Sequence, residues 1–358
     1  MATELPDILN VLVLAQASEE ALAKIKAVAP SRLNVIPAYA EFLDETIEDN
    51  AVMMRRRGGP PPQPRWTPAE REATLAAAHV VYLSFPFPHR LPERAASALL
   101  FHAPFAGVSN FKGTPYWGSK VPVSTSRGYT QALPIAELAV GAAMMFAKGL
   151  HVAAVNSQAG NFDRAAAPLM RLLTGKTLGV IGLGGIGTNV ARLAKGLGMR
   201  VVATRHSAKA LAVNTDGADV LYPAAQLNDM LAECDFIVVA AMWTDETEGM
   251  VGADAFAAMR DGAVLINVAR GEIVDEAALV AALHAGKLAG AYLDVFKDDF
   301  TQPPSLDLAS APNIVITPHV SGRSDVSHAF STDVLCDNLN KLLAGEPLEN
   351  VVDWKRGY

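Results

Sequence analysis

Apolar and polar positions along this chain alternate in a way that predicts short buried strands separated by amphipathic helices. Residues 8–15 form an apolar run of strand length, and residues 18–28 place Leu22 and Ile25 on one face of a helix. Residues 176–181 form another such run, and the apolar residues after it recur at helical spacing. Strands that alternate with helices are typical of an α/β protein with a parallel, doubly wound sheet.

The same pattern extends over most of the sequence. Thr67 and Glu70 read as a capping box with Pro68 at the first helical position, so a helix is predicted to begin there. Long helical patterns cover residues 134–155 and 326–344. The remaining predictions are a helix over residues 92–100 and strands over residues 80–85, 121–124, 200–203, 235–239, 263–267, 290–293 and 313–317.

Length and composition favour two domains with large cores. The chain has 358 residues, of which 51% are hydrophobic and 19% are charged, and this suits two domains better than one. We predict one domain over residues 134–321. The other is predicted to consist of residues 1–133 and 322–358, because the last helix is expected to return to it.

Charge and cysteine content limit the class of protein. The formal net charge of −7 argues against nucleic acid or an anionic membrane as the main partner. Cys234 and Cys336 are the only cysteines, so we expect neither a disulfide framework nor a metal site. We find no signal core and no apolar run of membrane-spanning length, and we therefore expect a cytoplasmic protein with no membrane partner.

A glycine-rich turn follows the strand predicted to end at residue 181. Gly182, Gly184 and Gly187 have the spacing G-x-G-x-x-G between a strand and a helix. In such a turn the first glycine allows a tight bend and the second lets the backbone approach a pyrophosphate, while the third lets the helix pack close to the strand. The N-terminus of the helix then faces the phosphates. The sequence therefore predicts a dinucleotide site.

The end of the next strand bears on the choice of dinucleotide. An NAD site usually has an Asp or Glu about 20 residues after the motif, which accepts hydrogen bonds from the ribose hydroxyls. Here the segment reads Thr204, Arg205, His206, Ser207, and a guanidinium suits the 2′-phosphate of NADP. We therefore predict that NADP(H) is favoured over NAD(H). The alternative is that Arg205 is a surface residue and that the ribose is held elsewhere.

Three ionisable residues follow predicted strand ends in the same domain, namely Arg270, Asp299 and His319. In a parallel sheet such ends converge on one crevice. Histidine can supply the proton that hydride transfer to a ketone requires, and a neighbouring carboxylate fixes the tautomer of the imidazole. Arginine can hold a substrate carboxylate through two parallel hydrogen bonds. Each residue alone is typical of an ordinary ion pair or cap, but the three together beside a dinucleotide motif favour a catalytic site.

The chain resembles the D-isomer-specific 2-hydroxyacid dehydrogenases in five segments that occur in order. They read GLGGIG, TDETEGM, LINVARGEIVD, LDVF and TPHVSG, and they begin at Gly182, Thr244, Leu265, Leu293 and Thr317. The resemblance implies two Rossmann- or flavodoxin-like domains with an interdomain cleft. It also implies a homodimer packed through the long helices of the larger domain.

The resemblance further implies roles for individual residues. Residues 134–321 would bind the dinucleotide, and the other domain would bind the substrate. His319 would be the general acid/base and Arg270 the anchor of the substrate carboxylate, which backbone amides near Ala106 and Gly107 would also hold. Beyond the three motif glycines and the segment from residue 204 to residue 207, the cofactor would be bound by Gly185, Ile186, Thr244, Val268, Ala269, Asp294 and Ser321.

One residue departs from the family's pattern. The family usually has Glu at the position of Asp299, followed by proline, which is Phe300 here. Aspartate is one methylene shorter and must lie closer to reach His319. Three interpretations remain: Asp299 orients the histidine after a local backbone shift, Asp298 does so instead, or the pair is weakened and the activity optimum moves toward acid. We expect the first.

The sequence thus predicts an NADPH-dependent reductase of small 2-oxo acids, such as glyoxylate, hydroxypyruvate or phenylpyruvate. One alternative is a cofactor-sensing binding protein like the corepressors that share this fold. Another is a dehydrogenase of the same fold that acts on formate, phosphite or a bulky aromatic compound. Arg55 to Arg57 and Pro60 to Pro64 are expected to form an irregular loop, which is either solvated or in contact with an anionic substrate.

Overall fold

The computed structural model describes residues 5–47, 63–83, 85–88, 90–127, 131–166, 169–325 and 327–357. The arginines and most prolines of the loop predicted around residues 55–64 lie outside these ranges. The chain divides into two compact units. Unit 1 consists of Met1–Thr130 with Ser324–Tyr358, and unit 2 of Gln131–Arg323. The functions predicted for the two domains stay predictions.

Strands and helices alternate through both units, as the apolar pattern predicts. The strands are β1 (Leu9–Val13), β2 (Leu33–Pro37), β3 (Val80–Tyr82), β4 (Leu100–Ala103), β5 (Val123–Thr125), β6 (Thr177–Ile181), β7 (Arg200–Arg205), β8 (Ala212–Thr215), β9 (Ala218–Pro223), β10 (Phe236–Val239), β11 (Ala263–Asn267), β12 (Leu288–Leu293) and β13 (Ile314–Ile316). The helices are α1 (Glu19–Ala27), α2 (Leu43–Ile47), α3 (Pro68–Ala76), α4 (Leu91–Arg94), α5 (Ala132–Ala147), α6 (Leu150–Gln158), α7 (Gly185–Gly196), α8 (Leu227–Leu231), α9 (Ala253–Ala258), α10 (Glu276–His284), α11 (Leu306–Ala309) and α12 (Ser327–Ala344).

Unit 1 is built on a parallel sheet with the strand order β2-β1-β3-β4-β5, which is the flavodoxin-like order. Leu9, Val11 and Val13 of β1 are buried against Ile25 of α1 and against Leu335 of α12. The predicted capping box is present, because the Thr67 side chain accepts from the backbone of Glu70 and the Glu70 side chain accepts from the backbone of Thr67.

One prediction for unit 1 is wrong, and one strand of its sheet was not predicted. The helix predicted over residues 92–100 ends at Arg94, because Ala95 has φ −88° and ψ 64°, outside the helical range. The apolar residues assigned to that helix lead instead into β4, which is buried throughout and lies between β3 and β5. The strand β2 at the sheet edge carries no strict alternation of apolar residues and was not predicted.

Unit 2 contains the larger sheet, with the strand order β13-β12-β11-β10-β6-β7-β9-β8. The strands from β9 to β12 follow the dinucleotide-binding order, and only β8 runs antiparallel to its neighbour. Helices cover both faces of the sheet. Phe236 and Val238 of β10 are buried in the cluster that includes α5 and α7, whereas Ile237 and Val239 are buried in the cluster that includes α9 and α10. The predicted α/β class with doubly wound parallel sheets is confirmed.

The helix predicted over residues 134–155 is interrupted. α5 ends at Ala147, and Gly149 adopts φ +63° before α6 begins. Glycine enters this left-handed region without a steric penalty, and so the helical pattern breaks there. No single helix among the described ranges is long and apolar enough to cross a membrane. α5 and α6 pass that length and composition test only as a pair, bent by 69°.

Candidate active site

The glycine turn after β6 has the geometry that its spacing predicts. A Cβ on Gly182, which has φ +97°, would lie 2.7 Å from the backbone nitrogen of Ala241. A Cβ on Gly187 would lie 2.2 Å from the carbonyl oxygen of Gly182. Around Gly184, in contrast, a Cβ would meet no atom within 4 Å. Gly182 and Gly187 are thus required because a side chain there would meet the protein's own backbone, whereas Gly184 leaves open space above the turn.

The open space borders the N-terminus of α7. Gly184 is the N-cap and has no side chain to accept from the amides of the first turn, and Gly185 is exposed while Ile186 is half-buried. Backbone N–H groups at a helix N-terminus favour an anion. The residues at this turn therefore fit the pyrophosphate of a dinucleotide.

The end of β7 lies beside the same turn. The buried Thr204 accepts at its carbonyl from the amides of Gly182 and Leu183, at 3.1 and 2.9 Å. Arg205 donates from Nε and Nη2 to the carbonyl of Leu183, at 2.9 and 2.7 Å. Nη2 also donates to Oδ2 of Asp216 at 2.5 Å.

Sequence reasoning missed Asp216. The segment from residue 204 to residue 207 contains no carboxylate, but the hairpin of β8 and β9 brings this one to Arg205. The dipeptide Asp216-Gly217 is a hairpin turn signal that would have pointed to it. His206 and Ser207 lie exposed after β7, with Nδ1 of His206 3.4 Å from Glu246.

The loops after β10 and β11 are fixed by their own side chains. Thr244 donates its amide to the hydroxyl of Thr247 at 2.8 Å. Asn267 accepts the amide of Ala269 at 3.0 Å and donates to the carbonyl of Arg270 at 2.9 Å. Val268 and Ala269 are both buried. Asn267 was not predicted as a site residue, although it lies inside the family-like segment.

Arg270 lies directly after this loop. It donates from Nη1 to the carbonyl of Ala269 at 2.8 Å. Burial lowers the pKa of its guanidinium, whereas the charges of Asp299 and Glu272 act to raise it. Burial also raises the pKa of Glu272. Arginine nevertheless remains a cation at neutral pH, so this strand end presents a positive charge.

His319 and Asp299 form a close pair. Nδ1 of His319 lies 2.8 Å from Oδ2 of Asp299, whose side chain is buried. Asp298 instead accepts from Gln302 at 3.0 Å. The ring of Phe300 lies 4.7 Å from the imidazole, measured between centroids. This is the contact that the first interpretation of Asp299 requires, and its catalytic role stays a prediction.

The backbone that carries Asp299 is pressed against the loop that carries Arg270. A Cβ on Gly271 would lie 2.0 Å from the carbonyl carbon of Phe296. The next residue, Lys297, donates its amide to Oε1 of Glu276 at 2.7 Å. The close approach that the shorter aspartate needs therefore coincides with a glycine in the facing loop.

Asp294 holds the loop that carries His319. Its fully buried carboxylate accepts from the hydroxyl of Thr317 at 2.6 Å and from the amides of Val320 and Ser321, at 3.0 and 2.9 Å. Its carbonyl accepts from the amide of His319 at 2.8 Å, and His319 adopts φ +53°. The structure thus brings Asp294 and Ser321 together with the histidine. The hydrogen bonds that the Asp294 carboxylate accepts come from the loop of the protein that carries His319.

The Thr317 hydroxyl extends this network to Tyr292, whose hydroxyl lies 2.7 Å away. Burial raises the pKa of Tyr292, and the charge of Asp294 raises it as well. Because Thr317 gives its only proton to Asp294, Tyr292 donates to Thr317. Sequence reasoning missed Tyr292, which it assigned only to a strand.

The predicted residues of unit 2 therefore lie in two groups at the carboxyl ends of its strands. Arg270, Asp299 and His319 follow β11, β12 and β13. The glycine turn follows β6, and Arg205 is the last residue of β7. In the sheet, β10 lies between β6 and β11, and ligands of such sheets bind where the strand order reverses. Ala106 and Gly107 lie in unit 1, half-buried after β4. Among the described residues no group of His, Cys, Asp and Glu could hold a metal ion.

Comparison with known proteins gives a consistent result. The sequence profile described as "D-isomer specific 2-hydroxyacid dehydrogenase, NAD binding domain" matches residues 140–321. Glycerate dehydrogenase of Methylorubrum extorquens is 37% identical over 185 residues, which are 51% of this chain and 54% of that protein. Glyoxylate reductase of Thermococcus kodakarensis is 37% identical over 172 residues, which are 48% of this chain and 50% of that protein. The chain thus spans about half the length of these curated relatives.

A solved structure matches over almost the full length. It is a D-isomer specific 2-hydroxyacid dehydrogenase family protein from Aeromonas salmonicida, with a TM-score of 0.76 and 25% sequence identity. The match covers 97% of this chain and 99% of the other.

Proposed function

The chain belongs to the D-isomer-specific 2-hydroxyacid dehydrogenases, and from this premise we propose that it reduces small 2-oxo acids to D-2-hydroxy acids with NADPH. The observation that carries the proposal is the pair of His319 and Asp299, whose Nδ1 and Oδ2 atoms lie 2.8 Å apart. It lies at the strand ends of the unit that holds the glycine turn. Family membership does not favour the binding-protein alternative, nor formate, phosphite or a bulky aromatic compound as substrate.

The proposed role of His319 is that of general acid. Asp299 accepts the Nδ1 proton and so fixes the tautomer, which leaves Nε2 as the atom that holds the transferable proton. When hydride adds to the substrate's carbonyl carbon, the carbonyl oxygen becomes an alkoxide, and Nε2 protonates that oxygen. A bound nicotinamide supplies the hydride. Such positioned acid catalysis is typically worth about 10²–10⁴ in rate.

Arg270 is proposed to bind the substrate. Its guanidinium can hold the carboxylate of a 2-oxo acid through two parallel hydrogen bonds and can polarise the neighbouring carbonyl. Its link to the carbonyl of Ala269 restricts where the planar group can lie. The backbone near Ala106 and Gly107 remains the predicted second anchor of the same carboxylate.

The dinucleotide is proposed to bind at the glycine turn. The amides at the start of α7 would hold the pyrophosphate, and the loops of Thr244 and of Val268 and Ala269 would line the cofactor. The preference for NADP(H) over NAD(H) is supported by Arg205, which lies beside the turn at the end of β7.

A homodimer is proposed as the assembly. α6 buries none of its residues, and Leu150 and Val155 expose 53% and 65% of their surface. Phe162 and Leu169, further along the chain, expose 82% and 94%. A second copy of the chain packed on this segment would remove that apolar surface from water. Light scattering of the purified protein measures the mass directly, and a monomer at micromolar concentration would refute this assignment.

The proposed reaction can be tested with a panel of 2-oxo acids, each assayed with NADPH and with NADH. His319→Ala and Arg270→Ala should abolish turnover, while His284→Ala and Arg192→Ala serve as controls because both residues are exposed on helices. We expect reduction of at least one small 2-oxo acid and tighter binding of NADPH than of NADH. Turnover that survives both site substitutions would contradict the proposed mechanism.

A further inference from the structure

The hairpin of β8 and β9 presents a carboxylate to the arginine of the proposed cofactor site. Asp216 and Gly217 form its turn, with φ +49° and +88°, and Thr215 pairs with Ala218 at its base. Positive φ at both central residues is the pattern of a type I′ turn, which holds two strands in one register. The position of Asp216 is therefore fixed by backbone geometry.

This carboxylate and the glycine turn together engage one edge of Arg205. Nε and Nη2 both donate to the carbonyl of Leu183, and Nη2 also donates to Asp216 at 2.5 Å. The side chain of Arg205 is 31% exposed and that of Asp216 is 50% exposed. The pair is thus open to solvent and to a ligand.

We propose that Asp216 is a specificity-determining residue, which opposes the 2′-phosphate of NADP(H) and so limits the preference that Arg205 creates. The inference rests on the proposed function in one respect only, namely that a dinucleotide binds at the glycine turn. It concerns the balance between two cofactors and is independent of the substrate.

The physical reason is a difference in charge between the two ligands. A 2′-phosphate carries a charge of about −1.5 to −2 at neutral pH. To bind, the 2′-phosphate needs N–H groups of Arg205, and Nη2 already donates to Asp216. The Asp216 carboxylate also repels the phosphate directly. The 2′-hydroxyl of NAD carries no charge and can donate a hydrogen bond to a carboxylate. Removal of this one negative charge should therefore strengthen the binding only of a ligand that carries a 2′-phosphate.

The test is the substitution Asp216→Asn, which removes the charge and keeps the shape. Asn-Gly is favoured in type I′ turns, so the hairpin should persist. Dissociation constants are measured by calorimetry for NADPH and NADH, and also for 2′,5′-ADP and 5′-AMP, which isolate the 2′-phosphate from the nicotinamide. Asp229→Asn is the matched control, because it removes an equal charge from an exposed position on α8.

We expect Asp216→Asn to tighten binding of NADPH and of 2′,5′-ADP about three- to fivefold, the upper size typical of one charge at a partly exposed site. NADH and 5′-AMP should change by less than about twofold, and the gain should shrink as salt concentration rises. Asp229→Asn should leave all four constants unchanged.

Three results would overturn the inference: unchanged or weaker NADPH binding by Asp216→Asn, an equal shift for all four ligands, or the same gain from Asp229→Asn. If the unsubstituted protein prefers NADH while Asp216→Asn still gains selectively for NADPH, the inference holds and only the proposed cofactor preference fails. If neither protein binds any of the four ligands, both proposals fail.

Discussion

Replacement of Thr317 by valine tests whether the network behind His319 positions the histidine. The substitution keeps the shape of the side chain and removes the hydroxyl. That hydroxyl donates to Asp294 at 2.6 Å and accepts from Tyr292 at 2.7 Å. After the change, Asp294 retains only its two backbone donors among the contacts described above, and the Tyr292 hydroxyl loses its acceptor.

The expected magnitude follows from these two bonds. A hydrogen bond to a charged group contributes about 1.5–3 kcal/mol, and an unsatisfied buried hydroxyl costs about 1 kcal/mol or more. Thr317→Val should therefore lower the free energy of unfolding of unit 2 by about 2–4 kcal/mol. His319 has φ +53°, a conformation that costs a non-glycine residue about 1–2 kcal/mol and that the loop must hold in place. We expect kcat to fall about tenfold or more, with a smaller change in KM.

Two matched variants separate positioning from stability. Thr317→Ser keeps the hydroxyl and should retain kcat within about threefold, whereas Tyr292→Phe removes only the outer bond and should lose about 1 kcal/mol. Chemical denaturation and steady-state kinetics, measured across pH, provide the two readouts. If Thr317→Val unfolds at the same denaturant concentration as the unsubstituted protein, or if Thr317→Ser is equally impaired, the network has no such role.

Three further predictions concern other parts of the chain. Asp299→Asn should lower kcat about 10²-fold or more because it removes the charge beside His319. Asp299→Glu keeps the charge, and its kcat should stay within about tenfold of that of the unsubstituted protein. Equal kcat values for the two variants would show that the charge is irrelevant. Gly182→Ala should destabilise unit 2, since the added Cβ would lie 2.7 Å from backbone atoms. Gly184→Ala should keep the melting temperature and lose dinucleotide affinity, because its Cβ would enter the open space above the turn. Calorimetry measures both the melting temperature and the affinity. Burial opposes ionisation of Glu41, yet hydrogen bonds from the amide of Trp66 and from the side chain and amide of Arg65 lower its pKa below 4.5. That stabilisation is complete above the unfolded pKa and is lost as pH falls through the folded pKa, so Glu41→Gln should cost about 1–2 kcal/mol at pH 7 and progressively less below about pH 4 in denaturation experiments. A constant difference across pH would contradict this assignment.

The sequence was informative where one local rule decides the structure. The glycine turn, the cap at Thr67 and the buried strands of unit 2 depend on spacing and on apolar runs, and each is present. β4 was missed because the apolar residues between the short helix α4 and this strand read as a continuation of the helix. The break at Gly149 was missed because one glycine inside an apolar helical pattern does not by itself indicate a left-handed turn.

The candidate site was only partly predictable for a related reason. Arg270 and His319 follow strands and could be found by position. The partners of the buried carboxylate of Asp294 depend on how the loop after β13 folds back, which no pattern in the sequence specifies. Asp216 reaches Arg205 across a hairpin, and a count of residues from the glycine motif cannot detect a contact made through a turn.

The contact between Gly271 and Phe296 has a consequence for how this protein can be altered. The two loops leave no room for a single carbon atom between them. The loop of Arg270, the proposed substrate anchor, therefore cannot change its backbone without displacing the loop of Asp299, the partner of the histidine. A library that varies the length or backbone of either loop alone should yield mostly inactive proteins. Libraries that vary both loops together are the ones in which new substrate preferences should arise.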